Sequence, residues 1–262
     1  MRNRSRGILM TAVLLIAVAR LPAQSAGLMG SYGFALTQTW DGGDLPGALI
    51  GILTFDGAGN FTGSSTTVGV VQDPNATAPQ VKSSQFGGTY TVNADGTGVA
   101  TGAGSGSTNT IPFVITDGGA SLILLPSSGF GNHLLTGTAR LAAPGAGLRG
   151  SYGFTLTDQY AGNGVGSIMG VVTFDGAGNA TSNATIVNVD PDPNATSLKV
   201  QTGQPGVGTY TVNADGTGVA TFQSNGGPQP IAFVITDGGA GLILLPTGGF
   251  GNTIITGSAR KQ

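Results

Sequence analysis

The chain repeats itself almost end to end. GSYGF at 30–34 returns at 150–154, TYTVNADGTGVAT at 89–101 returns letter for letter at 209–221, and FVITDGGA at 113–120 returns at 233–240, all at an offset of 120. TFDGAGN occurs at 54–60 and 173–179, an offset of 119, so a connection between strands shifts by one residue. Solenoid repeats span roughly 20–50 residues and need three or more copies to close a core. Two copies of a much longer unit do not fit that plan, and each is large enough to be a domain. The repeat thus predicts unit one over 27–141, a small Pro/Gly-bearing linker over 142–146, and unit two over 147–262.

What each unit folds into follows from which residues are missing. The chain has no Glu, only three Lys (Lys82, Lys199 and Lys261), and 48 Gly without a Gly-X-Y period. Glu and Lys favour helices, while Thr, Val and Gly favour strands and turns. Asp-Gly pairs at 56–57, 95–96 and 117–118, repeated at 175–176, 215–216 and 237–238, are hairpin signals, because both residues tolerate positive φ. Between them the alternation marks eight strands in unit one, near 30–38, 47–55, 60–70, 86–93, 98–102, 110–116, 121–126 and 133–140. Tyr32, Phe34 and Leu36 share one face, as do Tyr90 and Val92. Eight short antiparallel strands in series predict an all-β fold of two tandem eight-stranded up-and-down barrels, with a β-sandwich as the alternative. In a barrel the tight connections DGAGN, NADGTG and TDGGA gather at one end and match between copies. The longer connections at the other end differ between copies: 38–46 against 158–166, and 71–86 against 190–206. A closed structural end and an open variable end are expected, with binding residues at the latter. Short turns on one side and long loops on the other also fit an outer-membrane barrel. Aromatics at 6% are sparse for two girdles, and several strands are short for a tilted span.

The N-terminus reads as a secretory signal over 1–26. Arg2, Arg4 and Arg6 precede an apolar stretch from Gly7 to Ala19, and small residues follow, with cleavage expected after Ala23 or Ala26. Removing that leader leaves 6 basic and 12 acidic residues, a formal charge of −6. No basic patch remains for nucleic acid, and the membrane enters only through the signal peptide. The expected location is secreted, periplasmic or cell-surface. With no Cys there is no disulfide framework and no thiol chemistry.

Catalytic constellations are not found. The one histidine, His133, has Thr253 as its counterpart, so it belongs to no duplicated site. Asp95-Gly-Thr-Gly and Asp215-Gly-Thr-Gly carry the letters of an aspartic-protease motif in the wrong order and read as hairpin turns. Asp190, Asp192 and Asn194, or Asp41 and Asp44, match neither an EF-hand nor a Gly-rich calcium repeat, so no metal and no cofactor are expected. The N-x-Thr sequons at Asn60, Asn75, Asn179, Asn183 and Asn194 read as turn and strand residues. The expected ligand contacts are Trp40, Asp41, Asp44, Phe86 and Tyr160, all in or beside the variable connections. Trp40 is the sole tryptophan, with Tyr160 as its approximate counterpart, and an aromatic at a barrel mouth can stack on a ligand or sugar. The leading expectation is a binding module for a small apolar ligand, a glycan or a protein. The alternative is a structural or adhesive protein with filled barrels, and an enzyme comes third.

Two resemblances accompany this reading. The series GSYGF, TFDGAGN, GTYTVNADGTG, ITDGG and GTAR resembles a large set of exported tandem-repeat β proteins of environmental bacteria, notably acidobacteria; it implies no activity. The pairing of Gly30-x-Tyr32 with Arg140, and of Gly150-x-Tyr152 with Arg260, resembles the calycin barrels (lipocalins and avidin-like proteins). There a cation from the last strand covers an aromatic of the first at the closed end. The resemblance implies a closed floor with Arg140 over Tyr32 and Arg260 over Tyr152, a cation–π contact of about 1 kcal/mol.

Overall fold

The computed structural model describes residues 27–39, 46–73, 75–104, 107–129, 133–160, 166–190, 192, 194–224 and 226–262. The leader expected over 1–26 lies outside them. The first barrel comprises β1 (Met29–Thr39), β2 (Gly47–Asp56), β3 (Asn60–Gly69), β4 (Gln80–Val92), β5 (Thr97–Gly104), β6 (Ser107–Thr116), β7 (Ser121–Leu124) and β8 (Leu134–Leu141). The second comprises β9 (Gly150–Tyr160), β10 (Gly166–Phe174), β11 (Asn179–Asn188), β12 (Lys199–Val212), β13 (Thr217–Ser224), β14 (Gly227–Thr236), β15 (Gly241–Pro246) and β16 (Ile254–Lys261). In each, consecutive strands pair antiparallel and the last closes onto the first, so both are closed eight-stranded up-and-down barrels and the sandwich alternative falls away.

One boundary differs from the sequence expectation. β4 begins at Gln80, inside the stretch expected to be a loop, and β12 likewise begins at Lys199. Residues 80–86 pair with β3, whereas pairing with β5 starts only at Gly87. Residues 80–85 of this hairpin are all exposed, so they carry no alternation to read.

The tight turns gather at the floor, and their aspartates work differently from one another. Only Asp117 and Asp237 adopt positive φ, at 51° and 54°. Asp56 instead holds its turn through its carboxylate, which accepts from Ala58 N (2.7 Å), Asn60 N (2.9 Å) and Asn60 Nδ2 (2.7 Å). Asp175 does the same with Ala177 and Asn179. Asp95 accepts from the hydroxyl and amide of Thr97. Such bonds favour the ionised form. The side chain of Asn60 foremost, then backbone amides, holds Asp56 below the ordinary carboxylate range, and Asp95 and Asp175 are lowered by the same kind of contact.

The barrels stand side by side and share an apolar seam. Outward-facing Ala48, Ile50, Ile52 and Val68 of the first pack against Ala232, Val234, Leu245 and Ile254 of the second, all buried. A Cβ at Gly33 would lie 2.6 Å from Val234 Cγ1, so this close approach needs glycine. The seam is fastened at both ends. Asn252, in the β15–β16 connection at one mouth, accepts from Val71 N (2.9 Å) and donates to Val71 O (2.8 Å) at the other. At the floors, Asp237 takes Arg260 at 2.5 Å and Arg140 of the first barrel at 3.7 Å. The linker is tied down as well: Ala142 N donates to Ser31 O, Ala143 N to Ile235 O and Gly145 N to Ala214 O. Floor meets floor and mouth meets mouth, so both mouths open on the same side.

Two outcomes are expected. Because the folded pKa values of Asp56, Asp95 and Asp175 lie below their unfolded values, their contribution is complete above about pH 5 and is lost as the pH falls through those lowered values. The urea midpoint should fall over that range, and the double variant Asp56→Asn/Asp175→Asn should show a shallower fall; an unaltered profile would refute the assignment. Separately, Val234→Asp should destabilise by about 3 kcal/mol and split thermal unfolding into two calorimetric transitions. Its exposed counterpart variant Val114→Asp, at dilute concentration, should stay within about 0.5 kcal/mol of the parent.

Candidate functional site

The floor of each barrel is an aromatic cluster. Phe55 on β2 has Tyr32 (5.8 Å between centroids), Tyr90 (5.0 Å), Phe61 (6.0 Å) and Phe113 (6.2 Å) around it. Phe174 holds Tyr152 and Tyr210 in the same edge-on arrangement. Each barrel is then plugged by the residue that enters it. Leu28 and Leu148 are buried, and their carbonyls accept from the Tyr90 and Tyr210 hydroxyls at 2.5 and 2.7 Å. Tyr32 and Tyr152 donate to Gly119 O and Gly239 O, both at 2.6 Å, and so fix the short 3-10 turns at Asp117–Gly119 and Asp237–Gly239 across the floor. Burial, reinforced by the neighbouring Tyr90 and Tyr210, raises the pKa of both hydroxyls, which keeps them protonated as donors.

The expected cation cover is corrected here. Arg140 lies opposite Gly33, and Arg260 opposite Gly153. They belong to the outward rows, whereas Tyr32 and Tyr152 point inward. A one-residue offset on a strand reverses the face, so both guanidinium groups turn to Asp237 rather than to the rings. The cation near Tyr152 is Lys261, whose Nζ lies 5.9 Å from the ring centroid.

Above the floors the two interiors diverge. The first barrel encloses a cavity of about 330 Å³ lined by Phe34, Phe61, Phe86, Leu49, Ser84 and Asn109 among others. The second encloses about 700 Å³, with Phe154, Phe222, Phe250, Ile168, Ile186 and Gln229 on its walls. The repeat register explains the difference. Phe61 pairs across from Phe55, and its counterpart Ala180 pairs across from Phe174, so the second barrel lacks that ring. The ring of Phe86 on β4 has Gly206 as its counterpart, while Phe222 on β13 stands where the first barrel has Gly102. One phenyl has moved to the adjacent strand, and each faces a glycine that makes room for it: Gly63 for Phe86 and Gly208 for Phe222. The net change is one aromatic ring fewer and about twice the space. Among the described residues no charged side chain lines the larger cavity; Ser182, Gln204, Gln223, Ser224 and Gln229 provide its polar groups.

Of the residues expected to touch a ligand, Phe86 lines the smaller cavity. Trp40, Asp41 and Asp44 lie outside the described residues, and so does the side chain of Tyr160, whose backbone pairs with Ile254. His133 meets Gln38 Nε2 through Nδ1 at 2.7 Å, tying the β7–β8 connection to the end of β1. Asp190 accepts from Asp192 N and pairs with Lys199 at 3.1 Å, and Asp192 accepts from Asn194 N, so these groups shape a loop. Among the described residues no three His or Asp side chains gather as metal ligands do. The residues that set cavity size, Phe61, Ala180, Gly206 and Phe222, went unmarked in the sequence reading. Aligning the two repeats within their conserved frame would have exposed them.

No protein-family model matches the chain, and no curated protein sequence does. Among solved structures, kievitone hydratase from Nectria haematococca aligns over 91% of this chain and 90% of its own, at 9% identity and a TM-score of 0.31. A porin-like protein from Bacteroides uniformis aligns over 87% and 95%, at 10% identity and a TM-score of 0.20.

Proposed function

We propose that this is an exported binding protein whose second barrel takes up an uncharged, largely apolar small molecule through its open mouth. The observation that carries this reading is the cavity of about 700 Å³, walled by phenylalanine and aliphatic side chains and, among the described residues, free of charged lining groups. Its size falls within the usual range for ligand pockets, roughly 300–1,000 Å³. Desolvating an ionised ligand against such walls is unfavourable without a counter-charge. The glutamine and serine groups suit a molecule bearing a hydroxyl, carbonyl or amide at one end, since hydrogen bonds orient an otherwise apolar guest. In the first barrel the rings of Phe61 and Phe86 occupy much of the equivalent space, and its ligand is correspondingly smaller. The reading is of a carrier, because the described residues facing the cavity offer amides, hydroxyls and hydrocarbon, with no activated nucleophile or paired acid and base among them. Export rests on the leader pattern at 1–26.

The test is titration of the purified protein with the neutral fluorophore N-phenyl-1-naphthylamine. Ala180→Phe, which restores the ring the first barrel has, should weaken binding by about tenfold or more, equivalent to ~1.4 kcal/mol, while leaving the thermal midpoint unchanged or higher. Phe61→Ala should add a second class of site. Binding indifferent to Ala180→Phe would remove the second cavity as the site. Export is checked by N-terminal sequencing of protein recovered outside the cytoplasm, which should begin after Ala23 or Ala26; recovery from Met1 would overturn it.

A further inference from the structure

The seam between the barrels is built from unlike walls. The first barrel contributes its β1–β3 wall and the second its β14–β16 wall. Duplication means that each barrel also owns the wall its neighbour used, and both of these spare walls face solvent. On the first barrel, Val114, Ile123, Leu125 and Leu134 stand one repeat before Val234, Ile243, Leu245 and Ile254. They have the same outward facing and pairing: Val114 lies beside Ile123 as Val234 lies beside Ile243. Val234, Leu245 and Ile254 are at most 1% exposed, whereas Val114, Ile123, Leu125 and Leu134 are 40–56% exposed. This wall is a knob without a socket.

The matching socket is on the second barrel. Met169 and Val171 replace Ile50 and Ile52, and between β9, β10 and β16 runs a shallow groove of about 570 Å³ lined by Gly153, Thr155, Met169, Val171 and Arg260. Gly153 is the counterpart of Gly33, the glycine that admits Val234. Within this chain a Cβ at Gly153 would meet nothing nearer than Gln262 Nε2, at 3.7 Å. The opening needed to seat a valine is thus present where no valine of the same chain sits. The charges also match: the floor-edge pair Arg140–Asp237 has Arg260 and Asp117 as its repeat counterparts, and these carry opposite signs.

We propose that a second copy of this chain docks here, with the β6–β8 wall of its first barrel on the β9–β11 wall of the other's second barrel, in the manner of the internal seam. Such a contact joins two different surfaces, leaves one of each free at the ends, and therefore adds further copies in one direction. Thr155 and Ser167 stand where the seam has Ala35 and Ala48, so the joint buries less apolar area than the internal one and forms reversibly. This inference does not depend on the ligand reading.

Sedimentation velocity of the purified protein over a concentration series tests it. The weight-average mass should climb past that of a dimer as concentration rises. Ile123→Lys blocks the knob and Met169→Lys blocks the socket; both positions are exposed, so the barrels should keep the parent's circular dichroism and thermal midpoint. Each variant alone should remain monomeric. Their equimolar mixture should form one-to-one dimers and stop there, because only one knob and one socket remain compatible. A parent that stays monomeric throughout, a variant that assembles as the parent does, or a mixture that stays monomeric would each overturn the proposal.

Discussion

The edge-on contact of Phe55 with Tyr90, repeated by Phe174 with Tyr210, is the constraint from which the rest of each barrel follows. It fills the floor with rings and aims a phenol hydroxyl at the entering chain. The backbone of Leu28 or Leu148, arriving there with a carbonyl to satisfy, meets that hydroxyl. A buried carbonyl without a partner would cost on the order of 1–3 kcal/mol, so the ring cluster and the plug hold each other in place. With the floor sealed, any space left inside has to lie toward the mouth, where the connections vary.

This division accounts for how the two copies have drifted. Floor residues sit in ring contacts where a change of one methylene is felt, and Tyr32, Phe55, Tyr90 and Phe113 recur as Tyr152, Phe174, Tyr210 and Phe233. Toward the mouth the walls border empty space, and there a phenyl passes from β4 of one barrel to β13 of the other; Phe61, at the edge of the ring cluster, is Ala180 in the second barrel, which leaves Phe174 one ring neighbour fewer and enlarges the cavity. The exchange is of size and placement, not of polarity, which is why both interiors remain apolar.

Much of this could be read from the letters. The Asp-Gly turns and the alternation of Tyr32, Phe34 and Leu36 define the strands, and their serial order gives the barrel. Four things are hidden, each for a physical reason. Residues 80–85 form a strand bonded along one edge and exposed throughout, so no pattern of burial marks them. The calycin resemblance places Arg140 over the ring of Tyr32, but facing depends on register, and its partner is Gly33. The seam could not be foreseen because Val114 and Val234 occupy identical sequence settings. Which of them is buried depends on how two finished barrels meet, and no local propensity records that. Cavity volume is hidden in a similar way: Phe61 and Ala180 are plain in the sequence, but only the closed cylinder gives their difference a volume.

The side-by-side stance of the barrels has one more consequence. Neither can turn about its own axis without parting Asn252 from Val71 at the rim and Arg140 from Asp237 below. The openings are therefore held as a fixed pair, like two wells cut in one block. On the proposed binding reading, a flat reservoir of guest molecules would meet both wells in a single encounter, with no flexible tether whose freedom must first be lost.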